Sequence, residues 1–191
     1  MAKLMILLTF FLFSCGGSST GDNSSGGGSG GGSSDSTVKF VAVGVNGTIL
    51  SSINGDDWIA ETSGTSEHLY SVKYINSKFY ATGANGKLLS SSDGKSWTSI
   101  NTGTVSYLQD IFYKDGIYHI VGGNEVSAGQ SVILKSSDAS SWSKYSSSTS
   151  LRELTCITYY SDRIYTFGGG GSTVTGNSIG NSNDSGSSWA F

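Results

Sequence analysis

The side chains able to do chemistry in this 191-residue chain are few: fourteen acids, eleven Lys and Arg, two histidines and two cysteines. Glycoside hydrolysis needs two carboxyl groups roughly 5–10 Å apart, so the placement of the acids decides that reading. Asp93, Asp138 and Asp184 each sit in a Ser-rich turn, and Asp56, Asp57, Asp115 and Asp162 fall in turns as well. A short carboxylate in a tight turn accepts bonds from local backbone N–H groups, which is a structural task. Asp110 alone stands inside an apolar stretch, Leu108-Gln-Asp-Ile-Phe-Tyr113, and reads as a satisfied hydrogen-bonding group rather than a catalyst. His68 and His119 are isolated, and His119 alternates within IYHIV, as a packed residue would. The sequence carries no Ser/His/Asp order, metal-ligand cluster or phosphate loop, and no set of six oxygen ligands for calcium. No catalytic residue, metal or cofactor is assigned. A net charge of −3, with 13% charged residues and no basic patch, argues against a nucleic-acid partner.

The N-terminus reads as a processing signal. Lys3 precedes an apolar run, Leu4 to Phe13, too short for a membrane-spanning helix of about 20 residues but suited to a secretory signal. The run ends in Leu12-Phe13-Ser14-Cys15, which resembles the bacterial lipobox, although Phe13 is bulkier than that pattern favours. The resemblance implies that residues 1–14 are removed and that Cys15 carries the lipid. Residues 15–37 are then the lipidated cysteine and a tether of Gly, Ser, Thr, Asp and Asn. Such a segment buries too little apolar surface to offset its ordering entropy, and as a random coil it spans roughly 25 Å. The expectation is a lipid-anchored protein of the bacterial cell envelope, at the outer membrane or cell surface. Cys156 lies in the alternating stretch Leu154-Thr-Cys-Ile-Thr-Tyr159 and reads as a packed, inert thiol, so no disulfide framework is expected.

Stepping along residues 38–191 reveals a repeat. Tryptophans fall at 58, 97, 142 and 189, each preceded by a turn: SSINGDDW, SSSDGKSW, KSSDASSW and SNDSGSSW. Before each turn lies a strand-like segment ending in glycine, at Gly44, Gly83, Gly123 and Gly169. Three of these follow a further segment, in which Val72, Ile111 and Ile157 align, as do Tyr74, Tyr113 and Tyr159. The second unit reads as strands at Tyr70–Ile75, Phe79–Gly83, Lys87–Ser91 and Ser96–Ile100, with Asn, Asp and Gly at the turns. Proline is absent and glycine numbers 28, so glycine and serine must supply the bends. Four-stranded units recurring every 40-odd residues predict an all-β fold, a β-propeller of four blades. The first unit lacks its innermost strand.

The turns resemble the Asp-box of bacterial neuraminidase-type (BNR) repeats, S-x-D-x-G-x-x-W. Only the fourth copy matches in full, through Ser182, Asp184, Gly186 and Trp189. The second (Ser90, Asp93, Gly94, Trp97) has its Asp one place later; the first has Asn54-Gly55 before Trp58; the third has Asp138 and Ala139 before Trp142. The resemblance implies a structural role: the carboxylate or amide closes the turn, glycine takes a position where Cβ would clash, and tryptophan packs on the neighbouring blade. It also raises sialidase chemistry, which grips its substrate with three arginines; Arg152 and Arg163 are the only two here.

In a propeller the A–B and C–D turns share one face and the D–A and B–C loops share the other. On the latter face two B–C loops are long, at 124–131 and 170–177, beside D–A residues Glu67, His68, Tyr107, Arg152 and Glu153. Long loops gathered on one face of a rigid scaffold are where binding usually lives. His68, Asn124, Glu125, Arg152 and Glu153 are the candidate binding face, for a protein or glycan. The rival readings are a carbohydrate-active enzyme domain and a non-functional piece of a longer propeller. The four units form either a small closed ring or an incomplete or half ring, completed by a second copy in a homo-oligomer.

Overall fold

A computed structural model describes residues 37–123, 131–145, 153–160, 163–169 and 177–182. The signal segment, the tether with Cys15, and Asn124, Glu125, Arg152, Asp184, Gly186 and Trp189 lie outside the described residues. Four antiparallel sheets follow one another along the chain. The first holds β1 (Phe40–Val43), β2 (Ile49–Ser52) and β3 (Ile59–Glu61), in that spatial order. The second holds β4 (Leu69–Ile75), β5 (Lys78–Gly83), β6 (Leu88–Ser91) and β7 (Thr98–Ile100). The third repeats this with β8 (Tyr107–Lys114), β9 (Ile117–Gly123), β10 (Val132–Ser136) and β11 (Ser143–Tyr145). The fourth has β12 (Leu154–Tyr160), β13 (Arg163–Gly169) and β14 (Asn177–Ser182). These are propeller blades of up-and-down strands, and among the described residues the first has no inner strand, as expected. Asn-Gly and Asp-Gly corners at Asn46-Gly47, Asn85-Gly86 and Asp115-Gly116 take positive φ at both residues, the tight-hairpin geometry that matches strand twist.

The second and third blades bury both faces, so their B and C strands are apolar on alternate sides rather than on one. In β9 and β10, Ile120, Val132 and Leu134 join Tyr80 and Leu88 of the second blade in one core cluster. Their neighbours Val121 and Ile133 turn the other way and meet Leu154, Ile157 and Ile164 of the fourth blade. A third cluster, Ile49, Leu69, Ala81 and Leu89, joins the first blade to the second. There is thus one dry seam for each pair of successive blades. Each fully buried Leu or Ile contributes about 1.5–3 kcal/mol, and the stacking, not any single sheet, holds the fold.

The recurring glycine at the end of each B strand has a steric cause. A register shift opens a bulge in every inner strand, between Leu69 and Ser71, Leu108 and Asp110, and Leu154 and Cys156. Opposite it, a Cβ on Gly83, Gly122 or Gly168 would overlap the carbonyl oxygen of His68, Tyr107 or Glu153 respectively. The glycines in register are therefore Gly122 and Gly168, one place before the Gly123 and Gly169 read from the sequence. Cys156 is half-buried on β12, and the chain's other cysteine, Cys15, lies outside the described residues.

Candidate functional site

The box turns are built alike, and their builder is a serine. Ser52, Ser91 and Ser136 end the C strands, buried, and each donates its hydroxyl to the next side chain but one: Asn54 at 3.1 Å, Asp93 at 2.9 Å, Asp138 at 2.8 Å. That oxygen in turn accepts two backbone N–H groups, from Asp56 and Asp57, Lys95 and Ser96, or Ser140 and Ser141. The serine in register in the second box is thus Ser91, not Ser90. The backbone N–H groups of Ser96 and Lys95, with the Ser91 hydroxyl, hold the Asp93 carboxyl down to about 2. Those of Ser141 and Ser140 hold Asp138 well below the usual carboxylate range. These oxygens are occupied by the turn.

Behind the carboxylate, Gly94 at φ +73° packs so tightly that a Cβ would lie 2.8 Å from Val38 Cγ1 on the first blade. In the third box Ala139 takes the same left-handed conformation, φ +58°, and buries its methyl in the seam to the second blade. Trp97 and Trp142 pack against the seams to their preceding blades. The indole N–H of Trp58 donates to Gly55 O and that of Trp97 to Gly94 O. Trp142 Nε1 has no partner among the described residues. Trp58 has no preceding blade among the described residues and is 42% exposed.

Asp110 is a hydrogen-bonding group, as read from the sequence, and one that ties three blades. Its Oδ1 accepts the Ser71 hydroxyl (2.9 Å) and the Ile111 N–H, and lies 3.5 Å from Lys73 Nζ. Its Oδ2 accepts the Ile157 N–H at 3.3 Å. His119 is packed between the third and fourth blades with no exposed surface, and neither ring nitrogen has a partner among the described residues. Burial, reinforced by the Lys135 charge, pushes its imidazole down to about 4.

The D–A and B–C loops do share a face. Asn85 Nδ2 donates to Glu67 Oε2 (2.9 Å), Gly86 N to Ser106 O (2.8 Å), and Asn46 N to His68 Nδ1 (2.9 Å). On this face a row of side chains crosses from blade to blade. At two of the three inner-strand bulges the extra residue meets the residue just before the next inner strand's leucine. Tyr70 meets Tyr107 edge to face, ring centroids 6.0 Å apart, and Gln109 Nε2 donates to Glu153 Oε1. Of the five candidates, His68 and Glu153 belong to this row; Asn124, Glu125 and Arg152 fall outside the described residues. Sequence reasoning missed Tyr70 and Gln109. They are the middle residues of Leu-x-Ser and Leu-x-Asp, and their types, with Thr155 in Leu-x-Cys, share nothing that marks a bulge. Among the described residues no group of three or more His, Cys, Asp or Glu is placed to hold a metal ion.

No protein-family model matches the sequence, and no curated protein matches it. Among solved structures it resembles Xyloglucan PUL GH43B of Bacteroides ovatus, at 12% identity and a TM-score of 0.50, over 78% of this chain and 37% of that one. It also matches YCF48 bound to D1 peptide, at 17% identity and a TM-score of 0.38, over 79% of this chain and 63% of that one. The chain therefore spans less than two thirds of either structure.

Proposed function

We propose that the chain is an envelope-anchored propeller module that binds a protein or glycan across its D–A and B–C loop face. The observation that carries this reading is the bulge row: His68, Tyr70, Tyr107, Gln109 and Glu153 line one face, with His68 and Tyr70 exposed. Tyrosine offers a large amphipathic contact at low entropic cost, and the Gln109 amide, seated on the buried Glu153 carboxylate, offers a directed hydrogen bond; both suit sugars and peptides alike. A fold shared with a protein named for xyloglucan makes a glycan the first ligand class to try. The box carboxylates and Asp110 are engaged by backbone and hydroxyl groups, which favours binding over glycoside hydrolysis at those positions. Soluble protein comprising residues 38–191 is to be applied to a glycan array and to envelope extracts. Tyr107→Ala, Arg152→Ala and Glu153→Ala should each weaken the captured ligand tenfold or more; an equal signal from all three sinks the loop-face reading.

The anchor is part of the same proposal and has its own test. Lipid on Cys15 forms a thioether, and a thioether sulfur cannot also enter a disulfide with Cys156, the other cysteine of the chain. Labelled palmitate should enter the wild-type protein and not Cys15→Ser, with Cys156 then alkylatable. Absence of label, with both thiols protected until reduction, would replace the anchor by a bridge.

A further inference from the structure

The first blade keeps the fittings for an inner strand that the described residues do not provide. Gly83, Gly122 and Gly168 are glycine because the inner strand's bulge presses its backbone onto them. Gly44 stands at the same register, yet among the described residues a Cβ added to it would meet only Thr48 Cβ, at 3.9 Å, and its φ of −168° is extended backbone open to any residue. Neither its conformation nor its neighbours require glycine. The bulge row tells the same story from the other side. Tyr107 and Glu153 are each covered by a bulge residue of the preceding blade, Tyr70 and Gln109. His68, the third member of that series, is exposed, and its one bond is from Asn46 N to Nδ1. The bulge residue that would cover it belongs to the missing strand. Beside Gly44, β1 is an edge among the described residues, paired there with β2 alone.

We infer that β1 accepts an extended peptide segment from another polypeptide, antiparallel to it, as the inner strand of the first blade. The slot continues an interface already built twice, since β4, β8 and β12 pack side by side and are laced through Ser71 and Asp110. Those strands define the occupant's chemistry. Leucine comes first, as Leu69, Leu108 and Leu154, all buried. A bulge residue follows, then a small or acidic one, then Val or Ile, then any residue, then Tyr. Because Nδ1 of His68 accepts a backbone N–H, the neutral ring presents Nε2–H outward, so a Glu or Gln at the bulge is favoured. Backbone pairing along an edge supplies affinity and the alternate pockets supply specificity. The slot lies along β1, and the loop-face reading stands or falls separately.

The test uses the full chain and a fluorescent synthetic peptide with the sequence of residues 68–76, alone and carrying Tyr70→Glu. Both should bind saturably, the second more tightly. Gly44→Ala leaves the melting midpoint unchanged, because the space is empty, but weakens both peptides at least tenfold, because the added methyl meets the bulge. His68→Ala should remove the advantage of the Tyr70→Glu peptide. Failure of both peptides, and of copies of 108–114 and 154–160, to saturate at about millimolar concentration overturns the proposal, as does equal binding to Gly44→Ala. Self-association that Gly44→Ala abolishes, with no peptide bound, gives the slot to a second copy and likewise overturns it.

Discussion

Phe40 and Phe79 occupy the same register position, opposite Ser52 and Ser91 on their C strands, yet Phe40 is 47% exposed and Phe79 only 8%. Trp58 and Trp97 differ in the same direction. The two blades share residue types, turn chemistry and hairpin geometry; they differ in having a neighbour. The first blade has nothing before it among the described residues, and at the far end Phe167 is likewise 38% exposed. Burial in this fold is therefore a property of the seam between sheets. The same sequence signal gives a core residue in one blade and a surface residue in the next.

That contrast can be broken by measurement. The largest difference is expected at the paired phenylalanines: Phe79→Ala should cost about 3–5 kcal/mol in chemical denaturation, and Phe40→Ala about 1. Similar losses would show that the first blade's open face is covered in solution. Next comes acid. The unfolded imidazole of His119 titrates near 6.5 and the folded one near 4, so between those values the unfolded chain holds the extra proton. The stability is complete above pH 6.5 and is lost as pH falls through the window, by roughly 3 kcal/mol at about 1.4 per unit. His119→Leu should flatten that slope, whereas Val41 and Tyr80, at the same register in the first two blades, have no such window. Below 3.8 the carboxyl of Asp93 adds a further loss as pH approaches 2. The smallest effects lie in the boxes. Gly94→Ala should cost about 2 kcal/mol from its left-handed backbone and the contact with Val38. Ala139→Gly should stay within about 1 of zero, because relief of φ strain offsets the lost methyl.

Much of this was readable in advance because the repeat checks itself. Four tryptophans at blade spacing, each after an Asn, Asp or Gly corner, carry the strand order, the incomplete first blade and the shared loop face. The packed His119 and the bonded Asp110 follow from their place in alternating strands. The errors are one residue long and have one kind of cause. The ladder uses Ser91, Gly122 and Gly168 rather than Ser90, Gly123 and Gly169, and runs of identical residues hide which member that is. The bulge was illegible for a different reason. An extra residue in a strand changes which backbone groups meet, not which residue types appear, so Tyr70 and Gln109 looked like ordinary strand positions. Seam-dependent exposure, as at Trp58, is a fact about neighbours and has no mark in the residue itself.

Stacked sheets that touch only the sheet on either side ordinarily loosen from their ends, one unit at a time. Asp110 works against that here. A single carboxylate, reaching the Ser71 hydroxyl on one flank and the Ile157 amide on the other, makes the second, third and fourth sheets answer to a common group. Peeling away either flanking sheet strips part of that carboxylate's shell and exposes the remainder to the same loss. The arc gains a central clasp, and its melting is drawn toward a single event rather than a sequence of separate ones.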